Sequence, residues 1–240
     1  MSIDRLAPPG RWLCALGVYV LLAASANAER RWPELALPAA VSRSPITDGL
    51  ELNGVPLRVQ SLRSALSAPA LAAALRASLG GAVVESRLGR QRVLGHAHGG
   101  FYTTVQIDEG EAASGGSRAL LVTADLARAA GQREHQQALV RRWLQRLPAG
   151  SQLLSHTRAR DGDRWSNQLV YRNGLSQALN ARALGTAMKD LGMALRHTAE
   201  TGRVLLFEGP GREALAVIGR LPDGRASVVL TTVTPREPLP

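Results

Sequence analysis

Arg63-Ser64-Ala65-Leu66-Ser67 recurs in outline 109 residues later as Arg172-Asn173-Gly174-Leu175-Ser176, and these two stretches decide how the chain reads. Each closes a strand-like run and delivers a serine to the start of a helix-like one. Upstream of the first, Leu50 to Leu52 and Val55 to Ser64 flank Asn53-Gly54, a pair suited to the positive backbone angles of a tight hairpin turn. Pro56 puts the beginning of the second strand at an edge or bulge. Downstream, Ser67 is placed to cap a helix with Pro69 in its first turn; Leu71, Ala74, Leu75 and Leu79 make its apolar stripe, and Gly80-Gly81 ends it. Three strands are predicted next, over Gln91 to His96, Phe101 to Ile107 and Arg118 to Thr123.

The second stretch sits in the same setting. Leu153 to Arg158, an Asp161-Gly162 turn and Trp165 to Arg172 predict a hairpin. A helix is predicted from about Ala178 to His197, with Leu184, Met188, Leu191 and Leu195 on one stripe and Gly185 and Gly192 on a shared face. Strands follow over Arg203 to Glu208, Glu213 to Leu221 and Ala226 to Val233. Arg92-Val93-Leu94 pairs in pattern with Arg203-Val204-Leu205, and Arg118-Ala119 with Arg225-Ala226. The expectation is an α+β fold made by internal duplication: two similar units of hairpin, helix and three strands, each an antiparallel sheet covered by its helix. The first unit is placed at 48–127, the second at 149–235, with a tail at 236–240. Between them, 128–148 reads as a connecting amphipathic helix, with Leu139, Val140, Trp143, Leu144 and Leu147 on one side and Arg141 and Arg142 on the other.

Residues 1–28 read as a secretory signal peptide. Arg5 and Arg11 precede the apolar run Trp12 to Leu22, and Ala26-Asn27-Ala28 has the small-x-small pattern of a cleavage site. That run is too short to span roughly 30 Å of hydrocarbon as a helix. Residues 29–47 hold three prolines and read as an extended leader. The single cysteine, Cys14, lies in the signal, so the mature chain is expected to carry no disulfide, catalytic thiol or cysteine-based zinc site. Export places the protein in the envelope, most simply the periplasm of a Gram-negative bacterium.

With 29 basic residues against 19 acidic ones the chain carries a formal charge of +10, and all the basic residues except Lys189 are arginine. The arginines are spread through both halves without interleaved aromatics, which is not the footprint of a nucleic-acid binder. Gly209-Pro210-Gly211-Arg212-Glu213-Ala214 fits a dinucleotide fingerprint by letter, but the residues after it read as a strand between two turns, where a helix is required. No other cofactor motif occurs. Glu109-Gly110-Glu111 and Asp161-Gly162-Asp163 read as solvated turns, and Ser67 and Ser176 as caps rather than nucleophiles. His96 and His98 fall on one face if their strand continues, a spacing able to hold a divalent metal given a third ligand that the sequence does not supply.

These readings point to a non-enzymatic exported protein that binds an envelope protein or an anionic envelope component, as in secretion or surface assembly, with Arg141 and Arg142 as partner-binding residues. The competing expectations are a hydrolase or metal-dependent enzyme using His96 and His98, and a periplasmic carrier of an apolar ligand.

Overall fold

The computed structural model describes residues 31–109 and 116–235; the expected signal peptide at 1–28 and the tail at 236–240 lie outside them. Among the described residues twelve strands and four α-helices are formed. In chain order they are β1 (Val41–Leu52), β2 (Val55–Ser64), α1 (Ala68–Leu79), β3 (Val84–Leu88), β4 (Gln91–His98), β5 (Phe101–Asp108), β6 (Ser117–Asp125), α2 (Leu126–Gly131) and α3 (Arg133–Arg146). Then come β7 (Gln152–Asp161), β8 (Arg164–Asn173), α4 (Gln177–Asp190), β9 (Ala194–Ala199), β10 (Val204–Gly209), β11 (Arg212–Arg220) and β12 (Ala226–Thr234).

All twelve strands belong to one antiparallel sheet, in the order β3-β4-β5-β6-β2-β1-β7-β8-β12-β11-β10-β9. The α+β class expected from the sequence is therefore present, as a single sheet and not as two separate ones. Outward from the central β1–β7 pair the strands run β1-β2-β6-β5-β4-β3 on one side and β7-β8-β12-β11-β10-β9 on the other. The seam itself is short: Leu50, Glu51 and Leu52 pair with Ala159, Arg158 and Thr157. The Asn53-Gly54 turn extends it, because the Asn53 N–H donates to the His156 carbonyl at 2.8 Å and the His156 N–H donates to Asn53 Oδ1 at 2.9 Å. Asn53 and Gly54 both take positive φ, as this hairpin requires.

Alternation sorts each strand into two faces. Leu62, Leu94, Val105, Ile107 and Leu121 meet Leu71 and Leu75 of α1 in one buried cluster. In the other, Leu169, Tyr171, Leu205, Phe207, Ile218 and Leu230 meet Leu184 and Met188 of α4. Trp143 and Leu147 join this second cluster, so the connecting segment docks by its apolar side, as two helices α2 and α3 rather than one. Glu51 pairs with Pro56, in step with Leu62 along β2, and with Arg158 across the seam. The helices α1, α3 and α4 consequently bury their side chains against the same face of the sheet.

The sequence reading misses one strand in each half. β3 (Val-Glu-Ser-Arg-Leu) and β9 (Ala-Leu-Arg-His-Thr-Ala) are the sheet's two edges and are almost wholly exposed, so neither carries an apolar alternation to announce it. Each half is a hairpin, a helix and four strands. α4 stops at Asp190, short of the predicted His197. Gly192 takes φ 76° and donates to the Lys189 carbonyl while Met193 donates to that of Met188, a glycine-terminated helix end. Leu191 is thus a buried cap and not a stripe residue. The predicted leader overlaps β1, which starts at Val41 and carries Pro45 at a break in register. The second hairpin turns on Gly162-Asp163, because Asp161 still pairs with Arg164.

Candidate functional site

The side of the sheet opposite the helices supplies the largest chemically distinct surface. Its residues follow from the ladders. Val59, Val122 and Thr104 lie side by side on β2, β6 and β5. Val170, Val229 and Val217 do so on β8, β12 and β11, with Gln168, Thr231 and Leu215 in the next row. Among the described residues no helix buries a side chain here, and Leu215 and Val217 remain 42% and 41% exposed. On the seven strands from β5 to β12 the centre of this face alternates Val, Leu and Ala with Thr, Ser and Gln and carries no charge. In a chain with one residue in five charged, that is a local departure from composition. Arg63 and Arg118, directly opposite each other, stand at one end of the strands, and Arg172 stands at the other.

One glycine on this face is fixed by packing. A Cβ on Gly95 would lie 2.3 Å from the hydroxyl of Tyr102, so the ring lies across the glycine backbone and covers it.

Beneath the helices, the seam holds a buried polar cluster. Gln136 of α3 donates from Nε2 to Glu51, and the chain at Gly54 passes so close to it that a Cβ would meet Gln136 Cγ at 2.5 Å. Glu51 also lies 3.7 Å from Arg158, whose guanidinium sits 5.2 Å from the centre of the Trp165 ring. His156 is 3% exposed and donates from Nε2 to Asn167 Oδ1 at 3.3 Å. Burial, more than the neighbouring Arg158, pushes its pKa below the ordinary histidine value, so the ring is neutral. The sequence marks none of these residues as a group, because the seam brings together positions some hundred residues apart.

The residues singled out in the sequence fall elsewhere. β4 does continue through His98, which pairs with Phe101, and the rings of His96 and His98 stack with centroids 6.2 Å apart. His96 Nδ1 lies 3.3 Å from the Ala82 carbonyl. Among the described residues no third His, Cys, Asp or Glu completes a metal-binding group with them. Arg141 and Arg142 are exposed on α3, on the helical side and away from the uncharged sheet face. Gly209 and Gly211 belong to the β10–β11 hairpin. A Cβ at Gly209 would come within 2.4 Å of the Gly192 carbonyl oxygen, so close packing against the end of α4 explains that glycine. No described helix is long and apolar enough to cross a membrane.

Compared with protein-family models, curated proteins and solved structures, the chain matches none. The functional reading therefore rests on its own geometry.

Proposed function

We propose that this is an exported, non-enzymatic protein of the bacterial envelope that binds another envelope protein through the bare face of its sheet. The observation carrying this reading is the uncharged centre of that face. Its Val and Leu side chains offer apolar area for burial. The interspersed Thr, Ser and Gln need hydrogen-bonding partners once water leaves, which a polypeptide supplies and an acyl chain does not. The arginines at its two ends favour a partner with acidic groups bordering its contact surface. Arg141 and Arg142, on the helical side, become the comparison position.

The internal duplication is part of the same proposal. The strand orders of the two halves support it, as do the turns into α1 and α4. Ser64 Oγ accepts from the Leu66 N–H at 3.0 Å, and Asn173 Oδ1 accepts from the Leu175 N–H at 3.1 Å. Equivalence runs through the ladders: Ser117 faces Ser64 as Ala226 faces Asn173. This keeps Arg92 with Arg203 but pairs Arg118 with Ser227 and not with Arg225.

The reading is tested with Gln168→Glu and Thr231→Glu combined, compared with wild type for melting temperature and for co-isolation of a partner from the envelope fraction. Retained melting with loss of the partner is expected. Undiminished recovery of the same partner by the double variant would refute the binding face, and recovery of the protein from the cytoplasm with Met1 intact would refute export.

A further inference from the structure

Two arginines stand where the first half of the molecule holds an ion-paired cluster. In the first half, Arg92 lies opposite Ile107, and Glu109, two residues beyond, accepts from Arg92 Nε at 2.7 Å. Glu85, opposite Leu94, accepts from Arg92 Nη1 at 2.9 Å. In the second half, the Ile218 N–H donates to the Arg203 carbonyl at 2.8 Å, and the residue two beyond Ile218 is Arg220. The position opposite Leu205 is Thr198. Arg92, Glu109 and Glu85 are thereby replaced by Arg203, Arg220 and Thr198, so the two carboxylates that pair with Arg76, Arg87 and Arg92 in the first half become an arginine and a threonine. This comparison needs only the strand ladders, whatever the origin of the two halves.

Both arginines line one cavity of about 240 Å³. Buried Ile218 and Ala226 form its base, Ser176 and Gln177 another wall, and the exposed guanidiniums its rim. Gln177 donates from Nε2 to the Thr201 carbonyl at 2.9 Å, tying down the loop beside it. Arg220 Nε donates to the Gly224 carbonyl at 3.4 Å, and among the described side chains no carboxylate pairs with either arginine. At about 30 Å³ per liquid water the cavity has room for roughly eight waters, enough for a phosphorylated headgroup. Two guanidiniums across one cavity repel each other, and an oxyanion between them reverses the sign of that interaction. Their planar forks match a phosphate group, whose second ionisation near pH 6 gives it close to two negative charges at neutral pH.

We propose that this cavity binds a phosphate monoester, free or as the headgroup of a lipid, with Arg203 and Arg220 as its ligands. The test uses purified protein titrated with glycerol 3-phosphate, and separately with phosphatidylcholine vesicles with or without phosphatidic acid. Arg220→Glu restores the arginine–glutamate pair of the first half, so the variant should melt like wild type yet bind at least about tenfold more weakly. Arg182→Ala, an exposed change on α4, should leave binding unchanged. Binding of glycerol 3-phosphate assigns a soluble ligand, and binding of phosphatidic acid vesicles alone assigns a lipid, provided Arg220→Glu abolishes it. Equal binding by wild type and Arg220→Glu, or no binding to either probe by wild type, would overturn the proposal.

Discussion

The two halves of the sheet solve one packing problem with different side chains. The core under α1 is aliphatic: Leu62, Leu71, Leu75, Leu94, Val105 and Ile107. The core under α4 is built on Tyr171, Phe207, Met188 and Met193, with Trp143 brought in from α3. The turn into each helix diverges in the same way. Where the first half has Ser64 and buried Leu71, the second has Asn173 and Asn180 locked together. Asn173 Nδ2 donates to Asn180 Oδ1 at 2.8 Å, and Asn180 Nδ2 donates to Asn173 Oδ1 at 3.0 Å. Asn180 also reaches the carbonyls of Leu175 and Ser176. Strand order and helix placement thus tolerate a change from an apolar to a polar anchor, provided every buried amide finds partners. The comparison also shows where they do not tolerate change: Leu75 and Leu184 occupy matching positions on α1 and α4 and both are fully buried.

That comparison breaks first at these leucines. Leu75→Ala and Leu184→Ala should each cost about 2–5 kcal/mol in chemical denaturation, from lost transfer energy and an unfilled cavity. A near-neutral result at either would mean that its helix does not sit over the sheet as described. Next in size is Asn180→Ala, expected to cost about 1–3 kcal/mol. It removes two of the four hydrogen bonds of the buried Asn173 amide, leaving those to Ser151 Oγ and the Leu175 N–H, and takes the Asn180 donor from the Leu175 and Ser176 carbonyls. Adding the first-half residues as Asn173→Ser with Asn180→Leu should recover part of that loss. A double variant as unstable as the single one would show that the two anchors are not interchangeable.

The seam gives a smaller, pH-dependent effect. His156 has a lowered native pKa, so the unfolded chain binds a proton more readily than the native one as pH falls below about 6.5. Stability from this group is present above that pH and declines below it until the native pKa is passed. His156→Gln should flatten this part of the stability–pH curve, and an unchanged slope would place the transition on other groups. Smallest is Tyr171→Phe. The Tyr171 hydroxyl is buried without a hydrogen-bond partner among the described residues, and the matching residue in the first half is Leu62. Removing that oxygen should be neutral or stabilising by about 1 kcal/mol, and a clear loss would reveal a partner for the hydroxyl.

What could be read in the sequence depended on local pattern. The Asn53-Gly54 hairpin, the α1 stripe and the interior strands announce themselves through turn residues and alternation. The edge strands β3 and β9 do not, because exposure on both faces removes the alternation. The end of α4 was hidden by its apolar sequence: Leu191-Gly192-Met193 continues the stripe, and only the positive φ of Gly192 ends it. The union of the halves into one sheet had no local signal, since the three-residue β1–β7 pairing and its Asn53–His156 bonds join distant segments. The uncharged face was legible strand by strand, as alternate Val, Thr and Gln, but its extent depends on the strand order. The histidine and arginine candidates stood out by residue type, which says nothing about what surrounds them.

The most direct test of the account is a photo-crosslinking amino acid placed at Thr231 on the bare face and, in separate proteins, at Arg141 and Arg182 on the helical side, with adducts read in the envelope of living cells. The account predicts a discrete protein adduct from position 231 and none from 141 or 182. A discrete adduct from 141 or 182 with none from 231 would contradict it and move the binding surface to the helices.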